Sequence, residues 1–169
     1  MTFPNDKKLQ INRRSVLAAG LAVIANLTMP ATLTASRRPP RVLFVCQFGT
    51  AKSAIARELL KRRATQRGIP VAVFSRGITP EPHLASTTRE RLQAEGIDLD
   101  REGVQKLQSA DLRAADIVVV FNPLPSSMRK KKLLDWSTLP SVNDAYPLAR
   151  TDLDRRVDLL LDQIEQMHR

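Results

Sequence analysis

Arg41-Val42-Leu43-Phe44-Val45-Cys46-Gln47-Phe48-Gly49-Thr50-Ala51-Lys52-Ser53 is the stretch on which the reading of this chain turns. Its first six residues are a continuous β-branched and apolar run, the pattern of a short strand buried on both faces. A short loop holding Gly49 follows. Helical spacing then begins: Ile55, Leu59 and Leu60 share one face, basic residues cover the other, and Gly68 stops the helix. The unit is strand, loop, helix, with a cysteine at the strand's carboxyl end.

The same alternation continues downstream. Val71 to Ser75 reads as a second strand, and Thr79-Pro80-Glu81-Pro82 breaks the chain. Leu84 to Glu95 is predicted as a helix with Gly96 as its C-cap. Gln108 to Leu112 suggests a short helix with Ser109 or Asp111 near its start. Asp116 to Phe121 is the strongest strand signal. Pro123 to Leu134 is predicted as a helix with a Lys-rich outer face, followed by a loop centred on Trp136. Asp152 to Met167 closes the chain as an amphipathic helix with a stripe of Leu153, Val157, Leu160, Leu161 and Ile164. Strands alternating with helices imply an α/β fold, a mainly parallel sheet covered on both sides in a three-layer sandwich.

Residues 1–35 differ from this domain. Lys7, Lys8, Arg13 and Arg14 precede a segment without charge from Ser15 to Ser36. A basic start, an apolar middle and small polar residues describe a secretory signal. Arg13-Arg14-Ser15-Val16-Leu17 resembles a twin-arginine export signal. The apolar part before Pro30 is short for a membrane span of roughly 20 residues, and neither Ala31 nor Ala35 completes a clean Ala-x-Ala cleavage site. The expectation is export to the periplasm or beyond by the twin-arginine machinery, with a membrane-anchored form as the alternative where the signal is kept. Residues 36–40 form a basic, proline-stiffened linker, and 41–169 the domain.

Composition bounds the function. The 169 residues carry 27 Lys and Arg against 17 Asp and Glu, a net charge of +10, which first suggests a nucleic-acid partner. Without residues 1–35 the net charge is +7, and aromatics are only 4%, little material for a stacking platform. Nucleic acid is therefore disfavoured. One cysteine excludes an internal disulfide and a Cys-rich zinc site. Two histidines, His83 and His168, leave little for a metal site, so no metal and no cofactor are assigned; His83, after Pro82, is expected to start a helix. Lys61-Arg62-Arg63 and Arg129-Lys130-Lys131-Lys132 are expected to be solvated faces.

The candidate chemistry lies in the loop after the first strand. In open parallel sheets, ligands bind at the carboxyl ends of the strands. A loop leading straight into a helix lets its backbone N–H groups converge on an anion, and Gly49 supplies the conformational freedom of a tight cradle. The helix N-terminus and the Lys52 ammonium would both stabilise a thiolate at Cys46. Ser53 would donate a hydrogen bond to it or cap the helix. Cys46 is thus a candidate nucleophile in a pocket for an oxyanion.

Val42 to Cys46 with Lys52-Ser53-Ala54-Ile55-Ala56-Arg57-Glu58 resembles the signature of the low-molecular-weight protein tyrosine phosphatases and related arsenate reductases, whose loop is Cys-x5-Arg-Ser. Ser75-Arg76-Gly77, Gly96-Ile97-Asp98, Asp111 to Phe121 and Asp144-Ala145-Tyr146 continue the resemblance over residues 41–167. It implies a phosphatase-I-like (flavodoxin-like) domain with a four-stranded central sheet. It implies that Cys46 attacks phosphorus to form a phosphocysteine, that Asp144 is general acid and then base, and that Tyr146 lines the pocket mouth. Gln47, Phe48, Gly49, Thr50, Ala51 and Ser53 would cradle phosphate or another tetrahedral oxyanion, and a phosphorylated protein is a further partner it suggests.

Three positions depart from that pattern. Lys52 replaces the loop arginine, exchanging a planar bidentate fork for a flexible point charge. Gly49 replaces the loop asparagine and removes its side-chain hydrogen bonds. Ala51 stands where many members have a second cysteine, so the disulfide relay of thioredoxin-coupled arsenate reductases has no partner thiol. The reading is a cysteine-dependent phosphatase-like hydrolase of phosphotyrosine or small aryl phosphates. The alternatives are a catalytically weak or inactive oxyanion-binding domain on the same fold, and an arsenate reductase using an external thiol.

Overall fold

The computed structural model describes residues 38–99, 102–128 and 133–168. The export signal predicted over residues 1–35, and the basic run at 129–132, lie outside the described residues.

Strand β1 spans Arg41–Cys46, β2 Ala72–Gly77, β3 Ile117–Val120 and β4 Leu134–Asp135. They form one four-stranded sheet in the order β2-β1-β3-β4. Every pair is parallel, with Phe44 beside Ser75 on one side and Val119 on the other. Helices α1 (Lys52–Gln66), α2 (Ser86–Ala94), α3 (Ser109–Ala114) and α4 (Tyr146–His168) make the connections and the closing segment.

Both faces of β1 and β3 are buried, and the pleat divides their side chains between two cores. Val42, Phe44, Cys46, Val119 and Phe121 point to one core with Ile55, Leu59 and Leu60 of α1 and the predicted α4 stripe Leu153, Val157, Leu160, Leu161 and Ile164. Leu43, Val45, Val118 and Val120 point to the other, with Leu107, Leu112 and Ala115 around α3. Two cores on either side of one sheet make the three-layer sandwich. Each fully buried Leu, Val, Ile or Phe contributes about 1.5–3 kcal/mol relative to exposure, so this doubly covered pair of strands anchors the fold.

Three expectations change, and one loop residue turns out to be buried. The helix predicted from Pro123 through Leu134 is not formed at either end: a 3-10 turn occupies Ser126–Met128, and Leu134 belongs to β4. Trp136 lies in the predicted loop, just after β4, but its side chain is buried, the indole 5.7 Å from the Phe44 ring and 5.8 Å from the Phe121 ring. The closing helix starts at Tyr146, six residues before Asp152, with Pro147 in its first turn, where the N–H it lacks would have no intrahelical acceptor. Arg57, predicted with the basic outer face of α1, is 2% exposed. Its guanidinium donates to Ser75 Oγ (2.8 Å) and to Glu58 Oε1 (2.7 Å), tying α1 to β2. Three further basic residues of α1 are paired toward the surface: Lys61 with Glu102, Arg63 with Asp154 and Asp158, and Arg62 with the carbonyls of Glu95 and Gly96.

At the chain's entry to the domain, Arg38 grips Asp116 with two hydrogen bonds of 2.9 and 2.8 Å, and the Arg41 N–H donates to the same carboxylate at 2.8 Å. Among the described residues no helix is long and apolar enough to cross a membrane, and no group of three or more His, Cys, Asp or Glu could hold a metal ion.

Candidate active site

Cys46 ends β1, and the parallel sheet leaves its carboxyl edge open, so the loop to α1 turns over the thiol. Two groups reach Sγ. The Gly49 N–H donates to it at 3.1 Å, and Ser53 Oγ lies 3.0 Å away. Ser53 is fully buried and is the second residue of α1, while Ala51 holds the N-cap position without a side-chain cap. Of its two predicted roles Ser53 therefore takes the first, a partner of the sulfur.

Gly49 has φ +76°, the left-handed region that glycine enters freely. A Cβ there would lie 2.8 Å from Gly77 N and 2.9 Å from Gly77 Cα. The loop thus packs backbone against backbone on the end of β2. Hydrogen bonds hold the two segments together: Thr79 N–H to Gln47 O (2.9 Å), Ile78 N–H to Cys46 O (3.1 Å), and Gln47 Nε2 to Thr79 Oγ1 (2.7 Å). Gln47 N–H also donates to Asn122 Oδ1 at 2.9 Å, which ties the loop to the end of β3.

A cleft of about 190 Å³ opens above the thiol, lined by Cys46, Gln47, Phe48, Ala51, Lys52, His83, Asn122, Ser141, Val142 and Asn143. Four loops meet there, those following β1, β2 and β3 and the one entering α4. His83 does not start a helix. It lies in the irregular segment before α2, its ring 4.2 Å from that of Phe48, its N–H on Thr50 Oγ1 and its carbonyl accepting from Asn143 Nδ2. Asn143 Oδ1 in turn accepts the Ala85 N–H at 3.1 Å. A larger groove of about 630 Å³ opens at the opposite end of the strands, between Asp116, Leu133, Leu134 and Gln163; among the described residues its lining holds no cysteine, lysine or arginine.

Lys52 is the cation of the cleft wall. Its ammonium donates to the Leu139 carbonyl at 2.6 Å. Burial holds its proton affinity below that of an ordinary lysine; the charge of Cys46 opposes this, and that of Arg156 adds to it. Asp144 follows Asn143 in an exposed turn, its N–H on Ser141 Oγ at 3.3 Å, and is not among the lining residues. Tyr146 is also set apart from the lining. It is 7% exposed, with its hydroxyl donating to Glu95 Oε1 at 2.6 Å. Burial first, and that hydrogen bond second, raise its phenol above the ordinary value. Of the predicted residues, Cys46, Gln47, Phe48, Gly49, Thr50, Ala51, Lys52 and Ser53 come together around the thiol. Asn122, Asn143, Ser141 and His83 were not read as site residues. Amides and a lone histidine in separate loops have no local pattern that marks them.

The model of the family described as low molecular weight phosphotyrosine protein phosphatase matches residues 41–132, more than half of the chain. The chain belongs to that family. Solved structures agree on the fold. YfkJ from Bacillus subtilis is 17% identical, with a TM-score of 0.67 over 79% of this chain and 99% of its own. The arginine phosphatase YwlE from Geobacillus stearothermophilus is 20% identical, with a TM-score of 0.61 over 76% of this chain and 95% of its own. A thioredoxin-dependent arsenate reductase from Corynebacterium glutamicum is 25% identical, with a TM-score of 0.60 over 78% of this chain and 65% of its own. Comparison with curated proteins gives no match. Family membership makes this chain a phosphatase-like, cysteine-based hydrolase fold; among its structural neighbours are an arsenate reductase in a phosphate-binding state and a YwlE variant with a phosphorylated active-site serine.

Proposed function

We propose that the protein hydrolyses phosphomonoesters, phosphotyrosine or small aryl phosphates, through a phosphocysteine. The observation that carries this reading is the environment of Cys46 Sγ: a backbone N–H at 3.1 Å and a serine hydroxyl at 3.0 Å, beneath a cleft whose wall holds one ammonium. In the first step the sulfur attacks phosphorus, the S–P bond forms, the ester P–O bond breaks, and Asp144, in the exposed turn beside the lining residue Asn143, gives its proton to the leaving oxygen once substrate fills the cleft. In the second, water attacks phosphorus, Asp144 takes the water's proton, and the S–P bond breaks to release phosphate. Loop N–H groups and Lys52 bear the charge on the equatorial oxygens. Arsenate reduction is disfavoured, since Cys46 is the single cysteine of the chain and an external thiol would have to supply the electrons.

One observation favours a second reading. Lys52 already donates to a carbonyl, which suits a domain that holds an oxyanion loosely without turning it over. Phosphate release from an aryl phosphate, measured for the wild type, Cys46→Ser and Lys52→Arg, separates the two. The proposal expects turnover that Cys46→Ser abolishes. Activity that appears only in Lys52→Arg, with phosphate still raising the wild-type unfolding temperature, would replace it by oxyanion binding.

Export is a separate proposal: residues 1–35 direct the chain through the twin-arginine route. Replacing Arg13-Arg14 by Lys-Lys blocks periplasmic appearance if the proposal holds; unchanged export counts against it.

A further inference from the structure

We infer that Arg156, on α4, is a positioning residue for Lys52, and that the turn after β4 is the rigid link between them. The inference rests on Lys52 being the cation of a working oxyanion site.

A lysine is a flexible point charge with three donors and no planar fork, so on its own it does not fix the direction of the hydrogen bonds it gives a phosphoryl group. Here one donor is spent on the Leu139 carbonyl, 87 residues away in sequence, at 2.6 Å. That bond anchors the ammonium at one point and leaves two donors for the cleft that Lys52 lines. The Leu139 carbonyl is well placed to act as an anchor. Leu139 is 3% exposed, and its N–H closes a turn onto the Trp136 carbonyl at 3.0 Å. The start of the turn is fixed by Trp136 N–H on Val120 O (2.8 Å) and Ser137 N–H on Asp135 Oδ1 (2.8 Å).

Arg156 holds this turn from outside. Its guanidinium lies over the Trp136 ring, 5.9 Å from the centroid, and its Nη2 donates to Thr138 Oγ1 at 2.9 Å. Its Nε donates to Asp152 Oδ2 at 2.9 Å, one helical turn back, which fixes the side chain against α4. The path from Asp152 through Arg156, Thr138 and the Leu139 carbonyl to Lys52 is therefore made of direct contacts and one short turn. Arg156 also acts through space, since its charge lowers the proton affinity of Lys52. The charged or titratable groups that face Lys52 are Cys46 from β1 and Arg156 from α4, with Asp152 and Asp135 beside Arg156 and the His83 ring across the cleft.

The test is steady-state turnover of an aryl phosphate against pH for the wild type, Arg156→Ala, Arg156→Lys and Thr138→Val. Loosening Lys52 without deleting it should lower kcat about tenfold, less than the hundredfold or more of losing an oxyanion donor outright, with KM changing little. The alkaline limb that follows loss of the Lys52 proton should move to higher pH in Arg156→Ala, because a repelling charge is gone. Arg156→Lys should restore the limb and only part of kcat. Thr138→Val should lower kcat and leave the limb in place. Arg156→Ala with wild-type kcat and a wild-type limb overturns the inference. If Arg156→Ala does not fold, Arg156→Lys and Thr138→Val decide, and wild-type kcat in both overturns it. If the wild type turns over no ester, phosphate protection against thermal unfolding is measured against pH instead. An Arg156-dependent limb there sinks the phosphatase reading and keeps the positioning role, while an unmoved limb sinks both.

Discussion

Gly49→Ala tests the claim that the loop over Cys46 is shaped by backbone contact rather than by side chains. The magnitude follows from two terms. Holding alanine at φ +76° costs about 1 kcal/mol. The new Cβ would also stand 2.8 Å from Gly77 N, 2.9 Å from Gly77 Cα and 2.9 Å from a Val104 methyl. Two of those atoms are backbone of β2 and do not rotate away, so overpacking adds about 1–3 kcal/mol. The sum, about 2–4 kcal/mol, lowers the unfolding midpoint by roughly 10 °C in a domain of this size. Gly68→Ala is the internal standard: it has φ +65° but nothing within 4 Å of its Cβ position, so only the first term applies. The assay is thermal unfolding of both variants followed by far-ultraviolet circular dichroism. A Gly49→Ala midpoint no lower than that of Gly68→Ala refutes the reasoning. Gly49→Asn should not restore rigidity to the loop, because asparagine tolerates the left-handed region but its Cβ meets the same backbone.

Three further outcomes follow from the site. Ser53→Ala removes the hydroxyl 3.0 Å from Sγ at a fully buried position; kcat should fall by at least about tenfold with KM little changed, and the rate of Cys46 alkylation at neutral pH should change with it. Activity should fall as pH rises through a limb below the ordinary lysine value of 10.5, since burial disfavours the Lys52 ammonium and the protonated form is the working one; Lys52→Arg should abolish that limb, because a guanidinium keeps its proton, and a pH profile of kcat/KM checks both. Tyr146→Phe leaves Glu95 Oε1 without the phenol while Oε2 keeps Arg150; it should cost about 1–2 kcal/mol in urea unfolding and leave kcat/KM unchanged, whereas a large rise in KM would return Tyr146 to the substrate.

The parts of the fold that could be read from the sequence are those buried on both sides. β1 and β3 are runs without alternation because each face meets a core, and the α4 stripe shows because one helix face is buried over its length. β4 was not legible for the opposite reason. It has two residues, Leu134 and Asp135, which pair with Val119 and Val120 of β3 but end a stretch that reads equally well as an amphipathic helix. The burial of Trp136 was not legible either, since an indole in a loop has no period to show which way it faces. The first six residues of α4, Tyr146 to Thr151, lie outside the predicted helix because the apolar stripe that marks it begins only at Leu153; Pro147 is accepted there because it sits in the first turn. Arg57 shows the limit of charge as a surface marker: its position on α1 faces β2, and the Ser75 hydroxyl makes burial tolerable.

The site divides along the same line. Cys46, Lys52 and Ser53 were legible because strand, loop and helix bring them together within one local unit. What makes them a site is supplied by chain far away. Asn122 fixes the loop from β3, Asn143 couples the approach to α2 with the approach to α4, and Leu139 offers nothing but a carbonyl. A carbonyl exists at every residue, so no sequence pattern marks the one that Lys52 uses; it takes the turn closed by Leu139 N–H and held by Arg156 to single it out. That changes how the substitution at position 52 is to be weighed. Judged as an isolated side chain, lysine loses the geometric control a guanidinium brings. Judged with its carbonyl, the ammonium has one bond direction fixed by the fold, and the control is returned by the backbone of another loop. If the proposed positioning role holds, the residue type at position 52 and the conformation of residues 136–139 form one functional unit, and a change to either is to be read against the other.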